Sequence, residues 1–151
     1  MFRKALIFMF LLIFPFLSTF AYSLEFVYGD FGNKIYFLEV AQDAQSRAQG
    51  LSGRAAMERN EGMLFVFKKA GNYTFAMREM KFPLDFVWVR DGIVIDLTAN
   101  VPAPNMPADN CKALFSSQPC DKVIELNAGE IRNSSIKVGD TIRFYTSPPE
   151  S

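Results

Sequence analysis

Two short apolar runs joined by a pair of turn residues constrain this chain more than any other feature. They are Phe86-Val87-Trp88-Val89-Arg90, then Asp91-Gly92, then Ile93-Val94-Ile95-Asp96-Leu97. β-Branched and aromatic residues suit extended backbone, and Asp-Gly tolerates the positive φ angles of a two-residue hairpin. The rest of the chain has the same character. Lys34 to Ala41 alternates, with Ile35, Phe37 and Glu39 on one face and Tyr36, Leu38 and Val40 on the other. Met63 to Phe67, Tyr73 to Met77, Lys122 to Leu126 and Thr141 to Tyr145 read as further strands. Turn chemistry stands at Gly29 to Asn33, Asn60 to Gly62 and Val138 to Asp140. Ala99 to Pro119 is loop-like, broken by Pro102, Pro104 and Pro107. One segment carries a helical period: Asp43 can cap it, Arg47, Leu51 and Arg54 share a face, and Gly50 and Gly53 end it. These elements predict a mainly β domain, a compact β-sandwich or squat barrel with one short α-helix at about 43–53.

The first residues follow a different logic. Arg3 and Lys4 precede an apolar run from Ala5 to Phe20, and Ala21-Tyr22-Ser23 places small residues at the spacing a signal peptidase reads. Residues 1–23 are therefore predicted to be a signal peptide, cut after Ser23 or alternatively after Ala21. A retained membrane anchor is the rival reading. The expected organisation is a single β-rich domain at 24–146 and a disordered tail at 147–151. Such a protein is exported to a periplasmic or extracellular site and touches the membrane only before cleavage. That compartment is oxidising, so Cys111 and Cys120 are expected to close a short loop as a disulfide.

Charge and composition remove several function classes. The chain has no histidine, which excludes a Ser-His-Asp triad, a Cys-His nucleophile pair and an imidazole metal site. It carries 16 Lys+Arg against 16 Asp+Glu, without the basic surplus that binds phosphate backbones, so no nucleic-acid partner is expected. Losing Arg3 and Lys4 with the signal would make the mature chain weakly acidic. Met57, Met63, Met77, Met80 and Met106 could in principle offer thioethers to a soft metal, but methionine is ordinarily core filler. No metal site and no cofactor are predicted.

The order of short motifs carries a further signal. Arg47-x-x-Gly50-Leu51-x-x-Arg54, Gly62-Met63-Leu64-Phe65-Val66-Phe67, Phe75-x-Met77-Arg78, Pro83-Leu84-Asp85-Phe86 and Val123-Ile124-Glu125-Leu126-Asn127-Ala128-Gly129 are followed by Gly139-Asp140. Taken together over about residues 34–145, this series resembles the bacterial and archaeal family called domain of unknown function 192. The resemblance implies a compact, β-rich, often exported single domain, and it supplies no activity. It also marks two departures. Where the family usually carries Trp between the Phe and Met of the third motif, this chain has Ala76. Where an Asn-Thr pair often follows the basic residue, it has Glu79-Met80.

Polar residues set in the most apolar motifs are the candidate site. Arg54, Asp85 and Glu125 are expected to meet where the helix docks on the strands, as an Arg54–Asp85 or Arg54–Glu125 pair. Met77 and Arg78 are expected at the mouth of the same cleft, with Arg78 contacting an anionic or hydroxyl-bearing ligand. Tyr73, Phe75, Phe82, Phe86 and Trp88 are expected mostly as core, with an exposed sugar-binding platform, best represented by Trp88, as the competing reading. The leading function is a non-catalytic binding or accessory module of the cell envelope, acting as a monomer on a small ligand or envelope component. Two alternatives stand beside it. One is a carboxylate-dependent hydrolase of an envelope saccharide or peptide, with Asp85 and Glu125 as acid and base. The other is a structural partner in an envelope complex.

Overall fold

The computed structural model describes residues 25–105 and 111–149. The segment expected to be a signal peptide, 1–23, and the end of the tail expected at 147–151 lie outside them. Seven strands form one sheet: β1 (Glu25–Phe31), β2 (Lys34–Ala41), β3 (Glu61–Gly71), β4 (Leu84–Arg90), β5 (Ile93–Val101), β6 (Cys120–Asn127) and β7 (Arg143–Tyr145). Their order across the sheet is β5-β4-β6-β3-β2-β1-β7. All neighbours run antiparallel except β2 and β3, whose parallel pairing requires a crossover. That crossover contains α1 (Ala44–Gln49), and a second helix, α2 (Glu130–Asn133), follows β6.

The sheet is neither a two-sheet sandwich nor a closed barrel. It curls until β5 meets the segment leading into β7, through an Ile93–Thr141 bridge and hydrogen bonds from Val94 N to Asp140 O (2.9 Å) and Ile142 N to Gly92 O (2.8 Å). Alternation along the strands then builds a core on each face. The inner face holds Tyr36, Leu38, Leu64, Val87, Ile124 and Leu126. The outer face holds Phe65, Phe86, Trp88 and Val123 and is covered by Leu51, Met77, Met80 and Leu114.

Local chemistry explains the strongest elements. Asp91 (φ 50°) and Gly92 (φ 79°) make the left-handed two-residue turn between β4 and β5. In the β1–β2 hairpin, Gly32 (φ 64°) is required twice, because a Cβ there would also lie 2.3 Å from Ser134 O. In the N-cap of α1, Asp43 Oδ1 accepts from Gln45 N (2.8 Å) and Ser46 N (2.9 Å), while Asp43 N donates back to Ser46 Oγ. β-Ladder pairing extends β1 through Gly29 to Phe31, where the sequence suggested a turn. Tyr73 to Met77 forms only a bridge at Phe75 to Leu114.

Three expectations change with this geometry. There are two short helices rather than one. Trp88 is fully buried, its Nε1 donating to Thr98 Oγ1 (2.9 Å), so it is no exposed platform. Cys111 and Cys120 are free thiols that do not approach disulfide distance. Cys120 stands opposite Gly71 in the β3–β6 ladder with its Sγ toward Gly71 O. The segment after Cys111 is held elsewhere, by paired Phe75–Leu114 backbone bonds (2.8 Å each).

Asp85 holds this architecture together from inside. It is fully buried, and its carboxylate accepts from Asn100 N at the end of β5 (2.7 Å) and from Ile131 N in the first turn of α2 (2.8 Å). The N-cap of α2, Gly129, has no side chain for that task, so a carboxylate from β4 takes it over. Asp85→Ala should cost about 2–4 kcal/mol in urea denaturation, because two inward N–H groups lose their acceptor. Arg54→Ala should cost less than about 1 kcal/mol, because its ion pair is partly solvated. Equal losses in the two variants would contradict this assignment.

Candidate functional site: an aromatic cleft over a lone carboxyl

Outside the sheet, a cleft of about 390 Å³ opens between the end of α1 and the 73–80 segment. Its walls carry Phe65, Phe67, Tyr73 and Phe75, and Glu125 lines it from β6. The rings brace one another: Phe67 and Tyr73 stack at 3.5 Å between centroids, and Phe65 meets Phe75 edge-on at 4.9 Å. Ser52 Oγ to Arg78 O (2.9 Å) and Gly53 N to Glu79 O (3.1 Å) tie the two walls together. Ala76 lines the cleft and is exposed.

Two arginines border the opening in different states. Arg47 Nη1 donates to the carbonyls of Gln42 and Val66, and its guanidinium lies 5.2 Å over the Phe67 ring, clasping α1 to β3. The guanidinium of Arg78 is exposed and has no hydrogen bond or ion pair among the described residues.

Glu125 is the unusual group. Only 6% of the residue is exposed, and its Oε2 has no hydrogen-bond partner among the described residues. Its ladder neighbours are Met63 on β3 and Phe86 on β4, neither able to bond it. Burial pushes its pKa up from 4.5 to about 8, against a smaller downward pull from the positive charge of Arg54. The carboxyl is therefore mostly neutral at pH 7.

The predicted site residues separate into four places. Glu125 and Arg78 share this cleft. Arg54 lines a neighbouring cleft of about 230 Å³ and bonds Glu39 at 2.7 Å, so neither expected arginine pair forms. Met77 is buried in the outer core. Asp85 lies on the opposite face of the sheet: it stands across from Leu126, whereas Glu125 stands across from Phe86. An acid–base pair of Asp85 and Glu125 in one cavity is thus ruled out by strand alternation. Arg47, Phe65 and Phe67 were not singled out from the sequence. The available signals were that Arg47 shares the helix face of Leu51 and that all three stand in the short motifs that carry the family resemblance.

The arrangement defines a single-sheet β domain with a covered outer face and an aromatic cleft on that side. The chain belongs to the DUF192 family, described as "Uncharacterized ACR", whose match spans residues 29–144. Among solved structures it is similar to a protein from Sinorhizobium meliloti 1021 provisionally described as a transcription regulator. That pair shares 26% identity over 81% of this chain and 95% of the other, with a TM-score of 0.73. It is also similar to a protein of unknown function from Novosphingobium aromaticivorans DSM 12444. Here identity is 28% over 80% of this chain and 84% of the other, with a TM-score of 0.67. No curated protein matches the chain.

One departure from the family pattern acquires a physical meaning here. Glu79 adopts φ 55°, a left-handed conformation that Asn tolerates far better than Glu. Glu79→Asn should raise stability by about 0.5–1 kcal/mol, read as a higher urea midpoint with an unchanged slope.

The raised Glu125 pKa gives stability a definite pH dependence. In the unfolded chain the group ionises near 4.5 and in the folded chain near 8, so its stabilising share is complete below pH 4.5 and is lost as pH rises through 8. Glu125→Gln removes the buried charge. The variant should gain on the order of 3–5 kcal/mol relative to the native chain between pH 5 and pH 9 in denaturation experiments. Parallel stability profiles would contradict the assignment.

Proposed function

We propose that this protein is an exported, non-catalytic binding module of the cell envelope, acting as a monomer, and that the aromatic cleft receives a small ligand. One observation carries the reading: a buried carboxyl without a partner lines a ring-walled opening with a free guanidinium beside it. An unpaired buried polar group destabilises the empty fold, and a ligand that supplies its partner recovers that loss. Apolar walls with a few placed polar groups are the usual composition of small-molecule sites.

Catalysis has less support. The two carboxylates that could have divided acid and base roles face opposite ways, and the chain contains no histidine. The description of the Sinorhizobium relative is not carried over, since equal numbers of basic and acidic residues leave no surplus for binding nucleic acid. The export signal supports placement in the envelope, where small saccharides, amino acids and peptides are available.

A panel of those three classes, titrated against the purified domain with Phe67 and Tyr73 resonances monitored by NMR, tests the reading. At least one class should move both rings and raise the melting temperature. Ala76→Trp, at an exposed position lining the cleft, should abolish the effect while leaving the fold intact. A panel that leaves these resonances untouched, or binding that survives Ala76→Trp unchanged, would overturn the cleft as the site.

A further inference from the structure

Three features of the cleft restrict the chemistry of its occupant. The Glu125 carboxyl has an Oε2 with no hydrogen-bond partner, and the arginine acting on it, Arg54, is bonded at 2.7 Å to Glu39 instead. The walls are aromatic, with Phe65, Phe67, Tyr73 and Phe75 around the opening, and ring faces attract cations. At the border stands the unpartnered guanidinium of Arg78.

The cleft therefore offers a buried carboxyl, electron-rich walls and an exposed positive charge. Resting on the small-ligand reading above, we propose that the occupant is a small zwitterion. Its ammonium group reaches Glu125, its carboxylate remains on Arg78, and its apolar body lies against the rings, as in an apolar amino acid or a short peptide. A volume of about 390 Å³ suits a ligand of that size and not a polymer.

A neutral saccharide satisfies these features less well. Its hydroxyl groups could bond Glu125, but they would leave Arg78 without an opposite charge and gain no cation attraction from the rings. A simple anion could pair with Arg78 but would gain nothing from the ring faces, which attract cations. The charged and titratable groups around Glu125 are Arg47 on α1, Arg54 after it, Glu39 on β2 behind Arg54, and Tyr73 and Arg78 on the facing segment. Arg47 and Arg54 already have partners, so a new cation would be met by Glu125.

Calorimetric titration with a matched set of probes tests the proposal: L-phenylalanine, 3-phenylpropionate lacking the ammonium, phenethylamine lacking the carboxylate, and N-acetylglucosamine. Alanyl-phenylalanine separates a peptide from a free amino acid. At pH 8.5, L-phenylalanine or the dipeptide should bind at least tenfold tighter than the truncated probes and the sugar. Affinity should fall at least tenfold at pH 6.5, because the carboxyl must give up its proton to receive an ammonium. Glu125→Gln should remove that pH dependence and weaken binding at pH 8.5. Arg78→Ala should weaken the zwitterion and leave phenethylamine unchanged.

Tighter binding of N-acetylglucosamine or 3-phenylpropionate, or zwitterion affinity independent of pH, would overturn the ammonium assignment while the cleft stands as a binding site. Failure of all these probes at millimolar concentration would also overturn it. The cleft itself falls only if the wider panel is silent or if Ala76→Trp has no effect.

Discussion

The register between β4 and β6 decides where the two most informative carboxylates go. Asp85 lies across from Leu126 and Glu125 across from Phe86, so these acids point to opposite faces of the sheet. A slip of one residue would exchange every side chain on the strand between the faces. It would put Glu125 into the inner core among Leu38, Leu64 and Val87 and remove Asp85 from α2. The apolar pattern of both strands makes that slip costly, and the register is correspondingly well specified.

The contrast between two buried glutamates shows what makes Glu125 different. Glu130 is buried as deeply, at 5% exposed against 6%. Burial alone would raise its pKa, but Lys34 at 2.7 Å and the Tyr36 hydroxyl at 3.0 Å hold the net shift downward. Glu130 is thus a stable anion in a satisfied polar knot that joins β2 to α2. Glu125 has the burial without the partners. Among the described residues the fold tolerates that imbalance at one place, against a ring-walled cleft, and strongly perturbed groups in clefts are where binding chemistry tends to sit.

Local signals were legible in the sequence. Asp91-Gly92 specified its hairpin, Asp43 its helix cap, and the alternation of β2 separated Tyr36 and Leu38 from Ile35, the first two proving buried and the last exposed. Glu125 stood out as a polar residue in an apolar motif and Arg78 as a charged residue at the expected mouth of a cleft, and both line the cleft. What could not be read was long-range pairing. α2 is four residues long, and the carboxylate capping it comes from Asp85, 46 positions earlier, so no local residue announces it. Arg54 selects Glu39 over Asp85 or Glu125 because β2 and β3 run parallel and place Glu39 beside Met63, a pairing that only the crossover establishes. The spacing of Cys111 and Cys120 suggested a closed loop, but the β3–β6 ladder and the Phe75–Leu114 bridge hold the thiols apart.

The binding chemistry of the cleft depends on one side chain being dry and without a bonding partner in the unliganded protein. Carbon-13 NMR of the Glu125 carboxyl, followed through a pH titration of the purified domain, measures that condition at the atom concerned. A midpoint near pH 8, well above the ordinary 4.5 of a glutamate, is expected. A midpoint near the ordinary 4.5 would mean that water or a cation already satisfies the group, and the cleft would lose the feature that defines it.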